Sequence, residues 1–324
     1  MTHIVHGQIH RDVVIGIIVT TLIALVAMSV TVLGPVVGLF IPLPILFYRL
    51  KLGRVSGLMI LAAVTLIVTA VVGWRSLGTT AFLFEVGLVG LVLPELLEMN
   101  LNVEKTVGFT AGVILLTGAV MLGLYSIMSG STPWALASDY LNKSANLALA
   151  MYREMEPSQE NVGILTASMD AIIYVTLRVM PALLMIGALF LVWSNFLLAR
   201  PLLRSRQLLS PEFVRLDEWR APEPLVWVAI GSGILILVGH EGFRLAGING
   251  LIVMMMIYFF QGIAIVSFYF KKKQFPRGLR FILYGLIAMQ QLLLLLVITM
   301  GFFDMWIDFR RIRKVENEHE SDSN

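Results

Sequence analysis

Between Val55 and Val72 the chain runs for eighteen residues without a charged side chain, and runs of this kind recur along most of its length. Thr106–Met128, Asn249–Phe270 and Phe281–Phe303 likewise hold no Asp, Glu, Lys or Arg. Crossing the roughly 30 Å hydrocarbon core of a bilayer takes about 20 helical residues, and a water-soluble core needs no such lengths. Composition agrees. Of 324 residues 58% are hydrophobic and 14% charged, against about 25% charged in a typical soluble domain. The fold expected is an all-α, polytopic transmembrane helix bundle of about eight or nine spans, and the environment expected is the lipid bilayer.

The pattern divides the chain into segments. Val13–Leu33 is too long for the apolar part of a cleaved signal peptide and reads as the first helix. Gly34, Pro35, Gly38, Pro42 and Pro44 interrupt the next stretch, up to Tyr48, which suits a short or re-entrant helix. Spans follow at Val55–Val72, Thr80–Leu97 and Thr106–Met128. Part of Gly163–Leu198 follows these, with a kink at Pro181. Pro224–Val238, Asn249–Phe270 and Phe281–Phe303 complete the set. Residues 1–310 read as a single membrane domain, followed by a polar and disordered tail over 311–324. Within 129–161, Trp134, Ala137, Leu141, Ala145, Ala148, Tyr152 and Met155 recur at steps of three and four. That spacing places them on one face of an amphipathic helix that lies on the outer membrane surface or caps the bundle.

The net charge of +3 does not point to nucleic acid, because Lys and Arg sit in short loops between apolar runs. That is the positive-inside pattern, which puts the 49–54, 199–223 and 271–280 loops in the cytoplasm and the chain in the cell inner membrane. With nine spans, fifteen Lys and Arg fall inside and eight outside. Four of those eight are Arg310, Arg311, Arg313 and Lys314, so the end of the chain breaks the rule that its other loops obey. A re-entrant 35–48 segment leaves the tail outside as well.

Motifs for chemistry are missing. The chain has no cysteine, hence no thiolate metal site or thiol nucleophile. It has no G-x-x-x-x-G-K-[ST] loop, and His240-Glu241-Gly242 lacks the second histidine of H-E-x-x-H. Nor does it have a G-x-S-x-G elbow. No catalytic residue, metal or cofactor is expected, and the chain does not read as an enzyme. The informative residues are polar groups inside apolar runs, where charge is costly and usually faces the bundle interior. They are Glu85, Asp170, Arg178, Asn249 and Gln261. Asp170 and Arg178 lie eight residues apart, hence on one helical face. Two readings stay open: these side chains line a cavity for a small polar ligand, or they form a structural network. Gln290 and Gln291 read as interhelical glue, and Arg75, Glu95 and Glu98 as interfacial groups.

Phe213, Trp219, Pro222 and Trp227, then Asn249, Tyr258, Gln261 and Gly262, then Gly301, Asp304, Trp306, Asp308, Phe309 and Arg310 form a recognisable series. Across 213–310 it resembles the YybS-like family of uncharacterised bacterial multi-pass membrane proteins. That family is similar in turn to the S components of energy-coupling-factor vitamin transporters and to the cell-shape protein MreD. Pro42-Leu43-Pro44 followed by Gly53 and Gly57 resembles the opening of S components, and implies an S-component-like core with extra helices. The first resemblance implies capture of a small polar molecule, with a membrane coupling protein and ATPase subunits as partners. In S components small residues dock on the coupling protein; here Gly16, Thr20 and Ala24 give one small-residue stripe. The second implies a scaffold that works with cell-envelope assembly proteins.

Overall fold

A computed structural model describes residues 2–30, 33–73, 77–99, 101–155, 159–205 and 216–310. Among them every regular element is a helix. The elements are α1 (Thr2–Ser29), α2 (Gly34–Gly38), α3 (Pro42–Leu52), α4 (Arg54–Val72), α5 (Leu77–Glu98), α6 (Val103–Ser129), α7 (Pro133–Glu154), α8 (Gln159–Ser205), α9 (Pro224–Leu237), α10 (Glu241–Lys272), α11 (Arg277–Met289) and α12 (Gln291–Ile307). Among the described residues seven stretches are long and apolar enough to cross a bilayer: His10–Ser29, Gly34–Leu52, Arg54–Val72, Gly78–Glu98, Val103–Ser129, Asn161–Pro201 and Glu241–Lys272. The α9 helix is apolar but shorter, and α11 with α12 forms a bent pair. The chain is thus an all-α polytopic membrane bundle. The expected polar tail, together with Arg75, Arg206, Phe213 and Arg215, lies outside the described residues.

The helices group into two compact units inside the stretch expected as one domain. The first comprises Met1–Arg178 and Gly187–Pro211, the second Val179–Ile186 and Glu212–Asn324, so α8 contributes to both. In the first, Ile45 of α3, Ile60, Val64 and Val68 of α4, and Leu83 of α5 are fully or almost fully buried and meet Ala24 of α1. Large apolar side chains elsewhere on the same helices, such as Leu22, Val55, Leu66, Val71 and Phe82, are exposed, as a surface solvated by lipid tails requires. Small residues set the helix spacing. A Cβ at Gly90 would come within 2.7 Å of the Pro42 carbonyl oxygen, and one at Gly16 within 2.7 Å of Ile60. Thr20 and Ala24 are fully buried. The small-residue stripe of α1 therefore packs inside its own unit.

One end of this unit is tied by charge. Arg49, whose side chain is 2% exposed, pairs with both Glu95 and Glu98, and Arg54 pairs with Glu95. Lys51 reaches Asp12 of α1 at 2.6 Å. The two glutamates are thus more than interfacial groups. They bring the ends of α3 and α5 together, with Asp12 of α1 held by Lys51, at the end of the unit that carries the 49–54 charges.

Three segments differ from the sequence expectation. The helix expected within Gly163–Leu198 runs 47 residues, about 70 Å at 1.5 Å per residue, and overshoots any bilayer. The amphipathic segment is a helix, α7, whose Thr132 caps it by accepting from Ala135 N at 3.2 Å. Its half-buried stripe runs through Ala137, Leu141, Ala145, Leu149 and Tyr152, while Trp134, Ala148 and Met155 of the expected face are exposed. The span expected over Phe281–Phe303 is two helices, bent by 99° at Gln290. Gln290 takes extended dihedrals (φ −98°, ψ 110°) and so ends one helix and begins the next. Gln290 and Gln291 are exposed and make no side-chain hydrogen bond among the described residues, so they do not act as interhelical glue.

Candidate functional site: polar groups inside the helix bundle

Glu85 sits midway along α5, facing α6. Its Oε1 accepts from Thr117 Oγ1 at 2.7 Å. A Cβ on Gly118 would lie 3.5 Å from the same oxygen, an ordinary contact. Oε2 is buried and has no hydrogen-bond partner among the described residues. Asp170 is exposed on α8 and makes no ion pair or hydrogen bond among the described residues. Arg178 stacks its guanidinium on the Tyr174 ring one turn earlier, 3.4 Å from the centroid, a cation–π contact within one helix. Glu85, Asp170 and Arg178 therefore do not bond to one another.

Asn249 has a different task. Its Oδ1 accepts from the backbone N–H of Ala182 at 3.0 Å, and its Nδ2 donates to the Leu245 carbonyl at 2.9 Å. Pro181 precedes Ala182, and a proline inside a helix removes one ladder bond and pushes against the carbonyl a turn earlier. In lipid the freed backbone groups need a neighbour to satisfy them. Asn249 is that neighbour. We expect Asn249→Ala to cost about 1–3 kcal/mol, the penalty for a buried donor left unmade. Pro181→Ala should recover part of it by letting the ladder close, which thermal melts of the single and double variants in detergent would measure.

Gln261 belongs to the densest polar network of the second unit. Its Oε1 accepts from Ala221 N at 3.1 Å and its Nε2 donates to Asp304 Oδ2 at 3.2 Å. Asp304 is fully buried. The same oxygen accepts from Arg310 Nη2 at 2.7 Å, while Oδ1 accepts from Phe309 N at 3.1 Å. Arg310, 4% exposed, donates on through Nη1 to the carbonyls of Asp217 (3.0 Å) and Trp219 (2.9 Å). Burial pushes its pKa below the ordinary arginine value, and the neighbouring Asp304 works against that push. Arg220 pairs with Asp308, and Tyr269 donates to the Phe309 carbonyl at 2.6 Å. One network thus fastens the 217–221 loop, the middle of α10 and the end of α12.

This network needs two glycines beneath it. A Cβ on Gly301 would overlap the Tyr258 carbonyl oxygen, and one on Gly262 would meet Val297 Cγ1 at 2.6 Å. Backbone contact between α10 and α12 is what brings Asp304 within reach of Gln261. Gln261 is a candidate on sequence alone, whereas Asp304 and Arg310 enter only through the series that carries the family resemblance, with Gly262 and Gly301. Among the described residues no three His, Asp or Glu side chains gather in a way that would hold a metal ion.

A family model described as "Predicted membrane protein (DUF2232)" matches residues 18–305. The chain is 22% identical over 304 residues to Uncharacterized protein YybS of Bacillus subtilis (strain 168), covering 89% of this chain and 93% of that protein. No solved structure matches. With a match that takes in all but the first helical turns and the last residues, the chain belongs to the DUF2232 family of predicted membrane proteins, the YybS-like family.

Proposed function

We propose that this protein is a non-catalytic scaffold or assembly subunit of the cell envelope, seated in the inner membrane, where its helix surfaces hold other membrane proteins. The observation that carries this reading is the employment of its intramembrane amides. Asn249 satisfies the backbone at Pro181, and Gln261 bridges Ala221 to Asp304. A ligand site in lipid needs a few polar groups that converge on an opening, and these two face backbone and carboxylate instead. The internal packing of Gly16, Thr20 and Ala24 supports the same reading, because that stripe is occupied within its own unit. The test is a pull-down of the full chain from native membranes with protein identification. Cell-wall assembly proteins in the eluate support the scaffold. A coupling membrane protein with ATPase subunits refutes it.

A second reading, capture of a small polar molecule in the manner of an S component, is favoured by Glu85, whose Oε2 is buried and has an open acceptor position. Glu85→Gln keeps the shape and the Thr117 bond while removing the charge. Under the scaffold reading the pull-down partners are unchanged in this variant. Under the capture reading uptake falls although the protein is normally folded.

A further inference from the structure

We propose that α11 and α12 form a re-entrant elbow, which enters and leaves the membrane through the cytoplasmic face, so that the chain beyond Arg310 lies in the cytoplasm.

α10 ends at Lys272, in the basic run that marks the cytoplasmic side. The chain turns through 273–276 and begins α11 at Arg277, with Tyr284 edge-on to Phe270 of α10 (centroids 5.3 Å apart). A second transmembrane span would carry the next residues to the far end of α10. It does not. The chain leaves α12 through Asp308, in left-handed conformation, and Phe309 receives a hydrogen bond from Tyr269. Tyr269 lies three residues before Lys272, about 4.5 Å along the axis. Arg310 holds the Asp217 carbonyl, and the Asp217 carboxylate meets Lys271 at 3.2 Å. The entry and the exit of the pair therefore lie at the same end of α10.

The bend points the same way. α11 and α12, with 13 and 17 residues, reach about 20 and 26 Å, and a 99° bend keeps them from adding end to end into one straight span. The exposed Phe281, Ile282, Leu286, Met289, Leu292 and Leu296 suit a pair that dips into the lipid. The elbow also removes the one conflict in the charge pattern. Returning Arg310, Arg311, Arg313 and Lys314 to the inside changes the Lys and Arg split from fifteen against eight to nineteen against four. The chain then crosses eight times, through α1, α2 with α3, α4, α5, α6, α8, α9 and α10.

Because the chain lacks cysteine, single-cysteine labelling tests this in the full-length protein. A membrane-impermeant maleimide is applied to intact and to permeabilised cells carrying Lys273→Cys, Ser321→Cys or His240→Cys. Lys273→Cys and Ser321→Cys should both label only after permeabilisation, and His240→Cys in intact cells. Labelling of 273 and 321 from opposite sides would overturn the elbow. Labelling of both from outside would reverse the orientation while upholding the elbow. Asn324→Cys serves as a second reporter should the first fail to accumulate, with the same expected and contrary results.

Discussion

Asp304→Asn should be among the most damaging single substitutions in the chain, costing about 3–5 kcal/mol, the range for breaking a buried ion pair by removing one partner. Asp304 is fully buried and answers three donors, on Arg310, Gln261 and Phe309. Without its charge the buried Arg310 guanidinium loses its counter-ion, while its bonds to the Asp217 and Trp219 carbonyls cannot compensate a full charge. Removing both charges, as in Asp304→Asn with Arg310→Met, should be milder than Asp304→Asn alone, because an absent pair costs less than a broken one. Thermal melts of the three variants in detergent decide this. Equal losses in the single and the double variant would mean that the pair contributes nothing beyond its packing.

The second large effect is expected at Gly301. Gly301→Ala places a methyl group against the Tyr258 carbonyl, and backbone cannot rotate away as a side chain can. Overpacking of this kind costs about 1–3 kcal/mol and sometimes more, and here the upper end applies. Since α12 must lift off α10, the Asp304–Gln261 bond should loosen with it. Gly118→Ala is the matched control. Its Cβ meets Glu85 Oε1 at 3.5 Å, an ordinary contact, and alanine is the better helix former. Comparable loss of folded protein in both variants would show that α10 and α12 do not meet as closely as described.

The contrast between those two glycines also shows what a sequence makes legible. The apolar runs of α4, α6 and α10 announce themselves, because solvation in lipid acts on each segment separately. The face of α7 is likewise local: Ala137, Leu141, Ala145 and Tyr152 fall where helical spacing puts them. The break in the last apolar run was not legible. Gln290 and Gln291 bring neither proline nor glycine, and hydropathy does not distinguish a straight helix from a bent one. Nor was the partner of any amide. Asn249 meets Ala182 67 residues away in the chain, and Gln261 meets Asp304 across 43. Polarity in an apolar run signals that a partner exists, whether ligand or backbone, and only the packing of helices chooses between them.

In the scaffold we propose, intramembrane polar groups hold the fold together and hold no ligand. Native mass spectrometry of the protein purified from membranes, compared with its Glu85→Gln variant, tests that claim most directly. Both proteins should release as the bare chain with no retained small molecule beyond lipid, and with matching melting temperatures. A small polar molecule that travels with the native protein, and is lost from a Glu85→Gln variant of unchanged stability, would contradict it.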